Sequence, residues 1–258
     1  MKLTNNTILI TGGTSGFGYE FATKLLNLGN TIIVTGRDQT KLDLIKKALP
    51  QIHIFQSDVS DPEQIIRLFQ QVISQFPDLN ILINNAGEMR KISLHDPLVD
   101  LNDITREIEI NLMGPIRMVQ QFLPHLKSKP SAAILNVTSG IALIPFPIAP
   151  VYGATKAGLR SYTKSLRVQL KNTNIKVFEL VAPGSKTPLN DKFNNMDGFD
   201  EKLLMEPGKL IDAAIKGLQN DKLEIYPGIA RLLLIMSRIF PAFMLKQLSK
   251  PGAKEMAE

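Results

Sequence analysis

Short apolar, β-branched runs alternate along this chain with amphipathic stretches of helical length, and that alternation limits the folds open to it. The runs fall at 7–11, 31–35, 52–57, 81–84, 133–137, 176–181 and 223–226. The helical stretches include 17–28, 39–48, 62–76 and 104–126. Strands that are apolar at nearly every position need cover on both faces. Right-handed crossovers through the intervening helices then predict a doubly wound α/β sheet of about seven mostly parallel strands, with helices on both faces. No linker, low-complexity tract or internal repeat interrupts the pattern, so residues 1–258 are read as a single domain.

The segment ILITGGTSGFGYEFATKLLNLG runs from strand through glycine-rich turn to helix, in Rossmann-like order. Gly12 permits the tight turn, Gly16 lets a pyrophosphate approach the backbone, and Gly18 lets the helix pack close to the sheet. Thr14, Ser15 and Phe17 fill out the turn, and the helix N-terminus offers free N–H groups to phosphate. A glycine-rich turn without a ligand is the alternative; the flanking strand and helix argue against it. The second run ends in Gly36-Arg37-Asp38. A carboxylate there bonds the adenosine ribose, whereas an arginine suits a 2′-phosphate. NADP(H) is therefore favoured over NAD(H), with Asp38 as the opposing signal. Asp58, after the third run, either reaches the adenine edge or serves the turn before Pro62.

In VYGATKAGLRSYTKSLRVQL, Tyr152 and Lys156 stand four positions apart and share a helix face. A free phenol has a pKa of about 10 and exchanges protons poorly at neutral pH. A neighbouring ammonium stabilises the phenolate and lowers that value, which suits a tyrosine that trades a proton with a carbonyl or alcohol oxygen. Alone the pair carries little weight. Ser139 at the end of ILNVTSG adds to it, as does Asn111, a poor helix former inside a long helical stretch, where a backbone distortion or a buried water has a use.

Taken together, TGGTSGFG at 11–18, DV at 58–59, NNAG at 84–87, Asn111, Ser139, YGATK at 152–156 and PG at 183–184 resemble the short-chain dehydrogenase/reductase (SDR) family over about residues 4–228. GFGYEFA, GEMRKISL and APGSKTPL further resemble its DltE-like subgroup. The resemblance implies an NAD(P)-dependent oxidoreductase that moves a hydride between nicotinamide and a small-molecule carbonyl or secondary alcohol. It makes Tyr152 the acid/base and has Lys156 lower the tyrosine pKa and hold the nicotinamide ribose. Ser139 orients the substrate oxygen, and Asn111 holds a water in a proton relay. Asp58, Val59, Asn84, Ala86 and Gly87 line the adenosine side, and Pro183 and Gly184 flank the nicotinamide. It also implies a homodimer or homotetramer through the helix at 152–170. The family's continuation after PG is altered: Lys186 takes an apolar place, Pro188 takes the threonine place, and Thr187, shifted by one, is still expected within reach of the carboxamide. A substrate loop is expected at about 189–207. A dinucleotide-binding sensor or scaffold without turnover, supporting envelope chemistry at a membrane surface, is the alternative; the complete set Asn111, Ser139, Tyr152 and Lys156 argues for catalysis.

The net charge of +6 is scattered rather than blocked, so it is read as solubility plus an anionic ligand, not nucleic acid. The absence of cysteine removes thiolate chemistry and fits a cytoplasmic location. His53, His95 and His125 lack metal-ligand spacing, so no metal is expected. Arg90 and Lys91 are read as solvent-facing. The tail at about 229–258 mixes Leu, Ile, Met and Phe with basic residues. That mixture suits an amphipathic helix on an anionic membrane, a closure over the substrate loop, or a subunit contact; packing or a subunit contact is preferred. A greasy tail beside the pocket favours a hydrophobic substrate.

Overall fold

The computed structural model of the chain describes residues 1–96, 99–193, 196–197 and 204–253. Among these, β1 (Thr7–Thr11), β2 (Thr31–Gly36), β3 (His53–Gln56), β4 (Leu79–Asn84), β5 (Ala132–Ser139), β6 (Ile175–Ala182) and β7 (Glu224–Ile225) form one seven-stranded sheet in the order β3-β2-β1-β4-β5-β6-β7. Every pairing is parallel. The helices are α1 (Gly16–Asn27), α2 (Gln39–Ala48), α3 (Pro62–Gln75), α4 (Leu101–Ile104), α5 (Arg106–Ile108), α6 (Gly114–Lys127), α7 (Pro150–Gln169), α8 (Pro207–Gln219), α9 (Ala230–Ile239) and α10 (Pro241–Leu248). The expected Rossmann-like, doubly wound sheet is therefore observed.

The apolar runs are continuous because both faces of the sheet are covered. Ile8, Ile10, Ile32, Val34, Ile81 and Ile83 enter one core with Phe21 of α1, Leu42 of α2 and Leu210 of α8. Leu9, Ile33, Leu82 and Ile134, one position out of phase, enter the other with Leu68 of α3, Phe122 of α6 and Leu166 of α7. Helix starts follow local chemistry. Before α3, the Asp61 carboxylate accepts from the Glu63 and Gln64 amides at 2.9 and 3.3 Å, and Pro62 takes the first helical position. A cap of this kind contributes about 1 kcal/mol.

The stretch at 104–126 is not one helix. It breaks at Thr105 and widens into a π turn over Glu109–Met113 before α6. Asn111 sits in that turn, fully buried. Its Oδ1 accepts from the Glu88 amide at 2.8 Å, and its Nδ2 donates to the Glu88 carbonyl at 2.7 Å and to Thr155 Oγ1 at 3.2 Å. Holding the side chain on backbone after β4 fits the widened turn.

The chain winds away from β1 toward β3, then returns past it to β4 and continues to β7. Such a switch point opens a crevice at the carboxyl ends of the strands. In the expected substrate loop at 189–207, a short 3₁₀ turn at Asp191–Phe193 and a bridge between Ser185 and Met205 are seen, while 194–195 and 198–203 lie outside the described residues. Of the tail at 229–258, residues 254–258 lie outside them.

Candidate active site

The turn after β1 is shaped by steric demands. Gly12 has φ +65°, and a Cβ there would lie 2.7 Å from Ala86 Cα. A Cβ on Gly18 would lie 2.3 Å from the Gly12 carbonyl oxygen, so α1 packs against the turn only because that position is glycine. Gly13 is as restricted, since a Cβ would meet Val34 Cγ1 at 2.4 Å. Asn85 holds the turn from β4, with Nδ2 donating to the Thr11 and Gly12 carbonyls at 3.0 Å each. The Ser15 side chain leaves the first-turn N–H groups of α1 uncapped, and that turn carries no acidic residue.

These N–H groups open on a cleft of about 330 Å³ at the strand ends. Thr14, Ser15, Gly16 and Phe17 line it from the turn after β1, Arg37, Asp58 and Val59 from beyond the ends of β2 and β3, and Ala86 and Gly87 from beyond β4. Ser139, Tyr152, Lys156, Pro183, Gly184 and Thr187 close the other end. Thr187, despite its shifted place, lies against Gly16, where a Cβ would contact it at 3.5 Å. Lys186 points away and pairs with Glu206 at 2.6 Å. Gly18, Asn84 and Asn111 stand behind the wall rather than on it. Asn84 donates to Asn136 Oδ1 at 2.8 Å across β4 and β5, and Asn111 backs Gly87.

Tyr152, Lys156 and Ser139 are all buried, at 6, 4 and 8% exposure. Lys156 Nζ lies 5.7 Å from the Tyr152 ring centre and donates to the Val137 carbonyl at 2.9 Å. The expectation that this ammonium lowers the phenol pKa is not met by the polypeptide alone. Burial pushes Tyr152 up to about 12, with a Ser139 hydrogen bond opposing and the Glu107 charge adding to the rise. Burial also pushes Lys156 down to about 8. The lysine is anchored on the strand end, and in the polypeptide alone desolvation is the largest influence on the phenol.

Sequence reasoning missed the charged rim. Glu88 lines the cleft, pairs with Arg106, and places Oε2 3.8 Å from Arg37. Glu107 is completely buried, and burial raises its pKa. Arg90, expected to face solvent, turns inward: its amide donates to Glu107 at 3.0 Å, and its guanidinium pairs with Glu107 and Asp103. A carboxylate sunk that deep requires a cation beside it. Asp38 is consumed locally, capping α2 by accepting from the Lys41 amide at 3.1 Å. His53 on the edge strand meets Phe76 with tilted rings 4.5 Å apart, and His125 bonds the Leu79 carbonyl.

The sheet, the glycine turn and the Tyr-Lys pair define a dinucleotide-binding α/β protein, and a family model described as short chain dehydrogenase matches residues 6–198. The chain belongs to that family. It is 40% identical over 225 residues to the protein of Bacillus subtilis (strain 168) called uncharacterized oxidoreductase DltE, covering 87% of this chain and 89% of that one, in keeping with the subgroup resemblance. Among solved structures, it is similar to a Burkholderia cenocepacia J2315 short chain dehydrogenase in complex with NADP (TM-score 0.82, 23% identity, 96% and 99% of the two chains covered). It is also similar to a Burkholderia phymatum short chain dehydrogenase/reductase in complex with NAD (TM-score 0.81, 21% identity, 92% and 95% covered).

Proposed function

We propose that this chain is an NADP(H)-preferring oxidoreductase that interconverts a carbonyl and a secondary alcohol, with Tyr152 exchanging the proton. The observation that carries the reading is the convergence of Ser139, Tyr152 and Lys156 in the same cleft as an uncapped, glycine-walled helix start. The residues fit a dinucleotide: a Cβ at Gly12 would collide with Ala86 and one at Gly18 with the turn itself, and the α1 amides are free for a pyrophosphate. Bound there, a nicotinamide dinucleotide supplies or takes up the hydride. Solved family members with NAD and with NADP support the cofactor class and leave the preference to local residues.

Ser139 and Tyr152 hold the substrate oxygen between two hydroxyls, orienting the carbon beside it. In reduction, Tyr152 gives its proton to that oxygen as the carbon gains the hydride, so a C=O bond becomes CH–OH. In oxidation the proton returns. Lys156 holds the ribose hydroxyls and supplies positive charge to the phenolate. Asn111 acts from behind, fixing the Glu88 backbone and Gly87 beside Lys156; in this reading it also serves the proton relay that runs through Lys156. The exposed small residues Ala154, Ala157 and Ser161 of α7, with Val168 at 74% exposure, support a homodimer or homotetramer through that helix.

Arg37 is the basis of the NADP preference. With Asp38 committed to capping α2, Arg37 and Lys41 line the cleft where a 2′-phosphate would be met, and Glu88 Oε2 stands 3.8 Å from Arg37 Nη1 as the competing charge. Titration followed by nicotinamide fluorescence tests this. Arg37→Ala is expected to weaken NADPH about tenfold, the loss of one exposed charge-assisted contact, with NADH little changed. Glu88→Gln is expected to tighten NADPH by releasing Arg37. Equal losses for both cofactors in Arg37→Ala would remove the case for NADP.

A further inference from the structure

We infer that the outer face of α9 and α10 docks on an anionic lipid bilayer. The inner face of this hairpin is already used. Ala230 is fully buried, Leu233 fills the space over Gly140 beside Ser139, and Leu248 packs on the cluster that holds Tyr152. The outer face is not. Leu232, Ile235 and Ile239 recur at the spacing of one helical face and are 57, 46 and 60% exposed. Phe240 and Phe243, at the Pro241 corner, are 53 and 52% exposed. Contiguous apolar exposure of this kind marks an interaction surface rather than scattered surface residues.

Charge selects the occupant. Between Glu224 and Glu255, every charged residue is a lysine or arginine. Arg231, Arg238, Lys246 and Lys250 are exposed around the apolar residues. Self-pairing of this face would bring cations against cations with no carboxylate to relieve them. Anionic headgroups match the cations, while the acyl boundary takes the phenylalanines and isoleucines. Among the described residues no helix is long and apolar enough to cross a membrane, so the hairpin lies in the interface plane. Because Leu233 and Leu248 flank the Ser139–Tyr152 end of the cleft, docking sets that end at the lipid surface.

Flotation of the full chain with phosphatidylglycerol vesicles, and separately with phosphatidylcholine vesicles, tests the inference. Binding to the anionic vesicles is expected, falling as salt is raised, with far less on the zwitterionic ones. Arg238→Gln and Lys246→Gln are each expected to lower the partition about fivefold. The double variant Phe240→Ser, Phe243→Ser is expected to lower it about tenfold or more. These exposed positions leave the core intact, and unchanged thermal unfolding verifies that. Failure to float at low salt overturns the inference. So does equal flotation of the wild type and the phenylalanine variant. Loss of a gel-filtration dimer in that variant, with no vesicle binding by the wild type, would assign the face to a second copy instead.

Discussion

Replacing Tyr152 with phenylalanine is expected to lower turnover by about 10²–10⁴-fold, the usual contribution of a positioned acid or base, while dinucleotide affinity stays near that of the wild type. The ring packs in a small apolar cluster with Met89, Phe146 and Ile148, and phenylalanine keeps that packing. What is removed is the hydroxyl and its hydrogen bond with Ser139. If the proton moves through this oxygen, kcat and kcat/KM fall together, because the lost interaction belongs to the transition state. Lys156 offers no ready substitute, since its Nζ is bonded to the Val137 carbonyl. Steady-state assays with NADPH and a panel of ketones, alongside fluorescence titration, make the measurement. Turnover within a few-fold of wild type would place the proton donor elsewhere.

The parts of this site that were legible in the sequence are those set by local sterics. A glycine that must lie 2.3 Å from a carbonyl, were it to carry a Cβ, has no alternative residue, so the turn at 11–18 declares itself. Strands buried on both faces and amphipathic helices have equally local signatures, which is why β1 and α2 lie at their expected limits. Asn111 was suspicious as a poor helix former, but the form of the distortion depends on Glu88, 23 positions earlier, and no local pattern encodes that pairing. Charge was the least legible feature. Arg90, Glu107 and Glu179 look like surface residues, because an isolated charge is expected outside. The burial of both glutamates, and the inward turn of Arg90, follow only once the fold supplies partners from distant segments. For Tyr152 and Lys156, the spacing reports a shared face and says nothing about desolvation, which burial of both side chains brings in.

The second large effect concerns such a pair. Glu179 on β6 is completely buried, accepts from Thr138 Oγ1 at 2.7 Å, and meets Arg160 Nη1 of α7 at 2.8 and 2.9 Å. Arg160 also donates to the Tyr226 hydroxyl at 2.8 Å, tying β6, α7 and the end of β7 together next to Ser139. Arg160→Met keeps most of the apolar stem and strands the carboxylate. The expected loss is about 3–5 kcal/mol, the range for breaking a buried pair from one side. At about 2–4 °C per kcal/mol for a chain of this size, thermal unfolding should fall by roughly 6–20 °C. The pH dependence identifies the cause. Burial already raises the Glu179 pKa, with Arg160 pulling against it, so removing Arg160 raises it further. A carboxyl whose folded pKa lies above its unfolded one is accommodated while protonated and penalised as pH rises through the folded value. The gap between variant and wild type should therefore narrow as pH falls toward the acidic range and widen at neutral pH. Adding Glu179→Gln should recover part of the loss at neutral pH, because a neutral amide needs hydrogen bonds but no countercharge. A deficit that neither acid nor the second substitution reduces would trace the loss to packing of the arginine stem, and the buried pair would then have no part in holding Ser139 and α7 in register.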